Sequence, residues 1–247
     1  MNRDRMTSDR MKRAIIIGVG PEEGLGARLA RRFAAEDLHV IVAGRTGEAL
    51  ETLVEGIRRD GGQATSVVAD ATREEDVLQL FDVAGDDLAL AVYNAGNNMP
   101  GRIADMEAGY FEQAWRVGCF GGFLFGREAV RRMVPRGGGT LLFTGASASL
   151  RGRAGFGAFN AAKAGLRTLA QAMAKEYAAD GVHVGHVVVD GAIGGDKIRE
   201  AVPEYAEKLG EEGLIDLDGI VDGYLFLYRQ PRRAWTFELD VRTSRER

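Results

Sequence analysis

The residues best suited to chemistry fall into two groups. The first is a glycine-rich turn, Gly18-Val19-Gly20-Pro21-Glu22-Glu23-Gly24-Leu25-Gly26. Glycines let a backbone approach a pyrophosphate closely, and helix-end N–H groups favour its charge. The second runs from Thr144 to Lys163. Gly145-Ala146-Ser147-Ala148-Ser149 leads through Arg151-Gly152-Arg153 to Phe159-Asn160-Ala161-Ala162-Lys163. Reactions that move a hydride often use a tyrosine hydroxyl and a lysine one helical turn apart. Lys163 has that spacing, and the phenyl ring of Phe159 stands where the hydroxyl would be. Proton transfer by a positioned side chain contributes roughly 10²–10⁴-fold. A carbonyl reductase built this way is therefore slow unless another group supplies the proton. Ser147, Ser149, Asn160, Tyr93, Asn97, Asn98 and Asp190 carry suitable atoms, with Ser147 best placed. Each also reads as a capping serine, turn asparagine or loop aspartate.

The elements that position these residues follow from hydrophobic patterning. Ala14-Ile15-Ile16-Ile17 is a short, largely β-branched run with glycine directly after it, the pattern of a buried parallel strand. A helix follows with Leu25, Leu29 and Phe33 inward and Arg28, Arg31 and Arg32 outward. His39 to Ala43 is a second strand. Thr46 caps the next helix, whose apolar face is Leu50, Leu53, Val54 and Ile57. Further strands are expected at Thr65 to Ala69, Leu88 to Tyr93, Thr140 to Phe143 and Val182 to Val189, with an edge strand at Trp235 to Val241. Helices are expected at Glu74 to Ala84, at Met106 to Met133 with an interruption at Gly121-Gly122, at Phe159 to Ala179, at Arg199 to Leu209 and at Leu217 to Tyr228. Such alternation specifies an α/β fold, a parallel sheet with helices on both faces. No linker or repeat divides it, so residues 13–247 read as a single domain after a polar, disordered tail at 1–12.

Composition narrows the function classes. The 247 residues are 45% hydrophobic and 28% charged, and net charge is −4. No basic excess points to nucleic acid or an anionic membrane. No apolar run has membrane length. Only His39, His183 and His186 supply imidazoles, so no metal site is expected; His183 and His186 fall on opposite faces of their strand. The single cysteine, Cys119, fits a cytoplasmic, reducing environment and reads as a buried, inert thiol.

Ligands in such folds sit beyond the carboxyl ends of the strands, where Gly20, Asp70, Asn94 and Ser147 lie. Arg45 follows the second strand, and no acid occurs in Ala43-Gly44-Arg45. An acid would bind a free ribose 2′-hydroxyl, whereas arginine suits a 2′-phosphate. This favours NADP, with NAD the alternative. Glu22 and Glu23 put carboxylates inside the phosphate turn, and they repel a pyrophosphate if they point inward.

Together, Gly20-x-x-x-Gly24-x-Gly26, Asp70, Asn94-Ala95-Gly96 and Phe159-x-x-x-Lys163 resemble the short-chain dehydrogenases/reductases over essentially all of residues 13–247. The turn Gly18-Val19-Gly20-Pro21 and the segment Arg229 to Thr236 are similar to an atypical bacterial branch of that family. The resemblance implies a Rossmann-type, doubly wound fold that binds NAD(P), with Asp70 and Asn94 on the adenosine side. It also implies a catalytic set of Asn, Ser, Tyr and Lys. These positions fall on Gly118, Ala146, Phe159 and Lys163, so only the lysine is kept. The family's Pro-Gly after the sixth strand becomes Asp190-Gly191. The same resemblance implies a homodimer or homotetramer packed through the helices around 106–133 and from Phe159. A lid is expected at about Gly191 to Leu214, with Gly191, Gly194 and Gly195 as hinges. The first functional reading is an NADP-dependent oxidoreductase acting on a small molecule. A non-redox cyclase or isomerase on the same scaffold, and a non-catalytic dinucleotide-binding protein, remain open beside it.

Overall fold

The computed structural model describes residues 11–96 and 98–245. The expectations for residues 1–10 and for Asn97 lie outside these. Seven strands form one sheet in the order β3-β2-β1-β4-β5-β6-β9, and every pairing is parallel. They are β1 (Arg13–Ile17), β2 (His39–Gly44), β3 (Gln63–Val68), β4 (Leu88–Tyr93), β5 (Gly139–Ala146), β6 (Val182–Asp190) and β9 (Glu238–Arg242). The connecting helices are α1 (Leu25–Ala34), α2 (Gly47–Arg59), α3 (Glu74–Ala84), α4 (Ala108–Trp115), α5 (Gly121–Met133), α6 (Gly157–Tyr177) and α9 (Leu217–Tyr228).

Alternating strand residues divide the core into two layers. Ala14, Ile16, Val40 and Val42 pack with Leu29 and Phe33 of α1, Leu50 and Leu53 of α2, and Ile220 and Tyr224 of α9. Ile15, Ile17, Ile41 and Ala91 pack on the other face with Leu80 and Phe81 of α3, Phe125 of α5 and Leu166 of α6. Burial on both faces explains why these strands read as continuous apolar runs rather than alternating ones. The strand order reverses between β1 and β4, which opens a crevice at their carboxyl ends.

Several details differ from the sequence reading; the edge strand expected from Trp235 to Val241, for one, is Glu238–Arg242. The long middle helix is interrupted not at Gly121-Gly122 but one turn earlier, by a π-helical turn over Arg116–Phe120. There Tyr93 Oη donates to the Val117 carbonyl at 2.6 Å, and a side chain reaching into the helical ladder is a recognised cause of such a distortion. Gly121 and Gly122 instead begin α5, where tyrosine and leucine side chains press against them. The helix expected from Arg199 to Leu209 is two short ones, α7 (Asp196–Ala201) and α8 (Pro203–Leu209). Pro203 starts the second, where its fixed φ and missing N–H are tolerated. Thr46 precedes α2, but its side chain makes no capping hydrogen bond. Two short strands, β7 (Ala192–Ile193) and β8 (Leu214–Ile215), pair with each other and close the base of the segment between them. Among the described residues no helix is long and apolar enough to cross a membrane.

Candidate active site

The glycine turn is built by close approaches. Gly18 has φ +88, a left-handed value that favours glycine. A Cβ there would collide with the backbone of Asn94 and Ala95. One on Gly26 would lie 3.0 Å from the Gly18 carbonyl oxygen. Nothing lies within 4 Å of the Cβ position of Gly20. The turn is thus tight on its protein side and open on the other, as a phosphate cradle at the amino end of α1 requires, so these residues fit a dinucleotide.

The turn's carboxylates do not point inward. Glu22 pairs with Arg31 at 2.7 Å and Glu23 with Arg28 at 2.6 Å, both arginines being on α1. The turn also meets the segment after β6. Glu23 N donates to Asp196 Oδ2 at 2.9 Å, and Asp196 N donates to the Glu23 carbonyl at 3.1 Å.

Across the crevice, one hydrogen-bonded chain ties the strand ends together. Asn94 Nδ2 donates to the Gly18 carbonyl at 3.2 Å. Thr144 Oγ1 donates to Asn94 Oδ1 at 2.9 Å and lies 2.6 Å from the hydroxyl of buried Tyr224. With its proton given to Asn94, Thr144 accepts that of Tyr224. Lys163 Nζ donates to the Thr144 carbonyl at 2.8 Å. Thr144 therefore joins the lysine to the asparagine. A Cβ on Gly96 would stand 3.3 Å from Lys163 Nζ, so the glycine keeps room for the ammonium.

Lys163 is 4% exposed. Burial, helped by the charge of Lys197, pushes its pKa down to about 8. Its Nζ lies 5.9 Å from the centroid of the Phe159 ring, within cation–π range. Asp70 is half-buried. Burial pushes its carboxyl up, but hydrogen bonds from Thr72 and the charges of Arg45 and Arg73 outweigh this and hold it below the usual range. Arg45 itself is exposed at the end of β2.

Several sequence-nominated groups are engaged elsewhere. Tyr93 is a core residue, fully buried, its hydroxyl spent on the π-turn and pushed up by burial. Ser149 Oγ accepts from Ala146 N at 3.1 Å. Asn160 Nδ2 donates to the Arg153 carbonyl. Asp190, 1% exposed, receives a two-pronged hydrogen bond from Arg151 at 2.9 Å on each oxygen, with Arg242 3.5 Å away. Ser147 is half-buried in a short 3₁₀ turn directly after β5. Cys119 is half-buried rather than buried, and burial raises its thiol.

Sequence reasoning missed a second polar layer beneath α6. His186 Nδ1 meets Glu238 at 3.0 Å, and Arg167 grips the same carboxylate with two hydrogen bonds. Burial pushes His186 down to about 4, so it is neutral near pH 7. His183 lies on the opposite face and stacks on Trp235. Thr144, Tyr224, Arg151 and Glu238 carried no local signal for these side-chain contacts, whose two ends stand 39 to 80 positions apart. Among the described residues no group of His, Cys, Asp and Glu could hold a metal.

Comparison with known proteins gives this arrangement a lineage. Residues 12–200 match the family model described as short chain dehydrogenase. The chain belongs to the short-chain dehydrogenase/reductase family. Sorbitol-6-phosphate 2-dehydrogenase of Escherichia coli is 30% identical over 203 residues, covering 80% of this chain and 78% of that protein. The crystal structure of a short-chain dehydrogenase from Rhodopseudomonas palustris is 34% identical, with TM-score 0.79 over 94% of this chain and 99% of that one. A 7α-hydroxysteroid dehydrogenase complexed with NADH and 7-oxo glycochenodeoxycholic acid is 26% identical, with TM-score 0.85 over 94% and 93% of the chains. The Rossmann-type reading of the fold and the family resemblance are both borne out, and the chain is a short-chain family oxidoreductase.

Proposed function

We propose that this protein is an NADP-dependent oxidoreductase of a small molecule whose proton chemistry does not pass through the residue at position 159. The observation that carries the reading is Lys163, buried at the carboxyl ends of β4 and β5 with its ammonium held by the Thr144 carbonyl beside Gly96. A bound nicotinamide dinucleotide would supply or accept the hydride. The chain's own groups then divide the remaining work. Gly18, Gly20, Gly24, Leu25 and Gly26 take the pyrophosphate. Arg45 pairs with a 2′-phosphate, Asp70 and Asn94 to Gly96 line the adenosine side, and Lys163 donates to the nicotinamide ribose. Ser147 stands nearest the substrate. Gly118, Ala146 and Phe159 hold no proton that could be transferred, so the favoured substrate is one protonated from solvent, such as a conjugated alkene.

The segment 191–214 serves as the lid. Phe111, Trp115 and Phe123 are exposed along α4 and α5, and they support a homodimer or homotetramer joined through that face. Calorimetric titration with NADPH and NADH tests the cofactor reading. Tighter binding of NADPH, weakened in Arg45→Ala, is expected; binding of neither overturns it. Turnover followed by nicotinamide absorbance across ketones, alcohols and enones then tests the chemistry, and it should vanish in Lys163→Ala. In Phe159→Tyr, ketone reduction should rise by about 10²-fold or more if only the proton donor is lacking. No gain would show that the pocket has diverged beyond that residue. Product formed without any nucleotide would instead favour the cyclase or isomerase reading.

A further inference from the structure

We propose that Asp196 determines cofactor affinity: its carboxylate holds the Glu23 amide of the glycine turn in place of a phosphate, and the segment from Gly191 to Leu214 must let go before a dinucleotide seats. This rests on the dinucleotide reading above and adds to it a competitor built into the chain.

Backbone N–H groups at the amino end of a helix attract an anion. Here an anion is already present. The two hydrogen bonds between Glu23 and Asp196 form a closed ring, one running each way. Gly195 allows this approach, because a Cβ on it would strike the Glu23 carbonyl oxygen. The start of α7 is also held from behind. Gly194 N donates to the Ile215 carbonyl at 2.9 Å, and β7 pairs with β8. The segment is therefore fastened at its base and clasped at its tip. Lys197, the next residue, lies near enough to Lys163 for its charge to disfavour that ammonium.

The carboxylates of Glu22 and Glu23 are neutralised by Arg31 and Arg28. Asp196 differs from them, since it aims its charge at the amide that a phosphate oxygen would use. A pyrophosphate entering the turn meets that charge and must displace it. The contact is at the surface, but a carboxylate within a few ångströms of a phosphate is well inside the screening length and lowers affinity measurably.

Asp196→Ala removes both the competing charge and one hydrogen bond of the clasp. Asp196→Asn removes the charge and keeps an acceptor. Calorimetry with NADPH should give affinity higher by about 5- to 20-fold in the alanine variant, with asparagine between it and wild type. Without nucleotide, amide hydrogen exchange across residues 191–214 should quicken in the alanine variant, at an unchanged unfolding midpoint. Equal or weaker NADPH binding by Asp196→Ala, with wild type binding normally, overturns the proposal and makes the clasp part of the bound state. Exchange that does not change overturns the clasp itself. Binding by neither wild type nor variant refutes the dinucleotide reading, and this proposal with it, a result distinct from either failure alone.

Discussion

Lys163 gives the sharpest quantitative handle on the site, because it can be tested without knowing the substrate. Its pKa falls from 10.5 to about 8 on folding, through burial and the neighbouring Lys197. The fold disfavours the charged amine, so the unfolded chain binds more protons across the window from about pH 8 to 10.5. Stability therefore rises with pH through that window and is lowest below it. The full penalty on the charged amine is about 3 kcal/mol. Between pH 7 and pH 9 about 1 kcal/mol of it is relieved. Lys163→Met keeps a similar length and has nothing to titrate. Urea unfolding of both proteins at pH 7, 8 and 9, without nucleotide, isolates the effect, since every other titrating group cancels in the difference. Wild type should gain about 1 kcal/mol on the variant over that range. Parallel curves would refute the buried, desolvated lysine, and a gain in the opposite direction would mean that an unseen anion holds its charge.

Other consequences are equally direct. Tyr224→Phe removes one hydroxyl from the chain through Thr144 and should cost about 1 kcal/mol in urea unfolding, with NADPH affinity falling as Asn94 loosens. Thr144→Val leaves both Tyr224 and Asn94 without their partner and should cost more, about 2–3 kcal/mol; the reverse order would show that the chain is not continuous. Gly121→Ala would set a methyl 2.7 Å from the Ala71 carbonyl oxygen and against the Tyr93 hydroxyl. It should destabilise by about 1–3 kcal/mol, whereas Gly109→Ala, with nothing within 4 Å of its Cβ position, should be neutral or stabilising in the same assay.

How much of this was legible in the amino-acid order depends on the range of each interaction. The run Ala14 to Ile17 followed by glycine, the helical faces of Leu29 and Phe33 and of Leu50 and Leu53, and the placing of Leu217 to Tyr228 are local periodicities. A strand must alternate its faces and a helix must repeat every 3.6 residues wherever the chain goes next. The glycine turn and the spacing of Phe159 and Lys163 are local in the same sense, so the fold and the floor of the site could be read directly. What the sequence could not decide was direction and partnership. Glu22 and Glu23 turn outward only because α1 presents Arg31 and Arg28 beneath them. The break in the middle helix falls at Arg116–Phe120 because Tyr93 reaches it from a different strand. Asp190 and Arg151, Thr144 and Tyr224, and Glu23 and Asp196 are pairs that meet only after the sheet brings distant segments to one edge. Their energies come from burial and from exact donor–acceptor geometry, neither of which exists until the chain has folded.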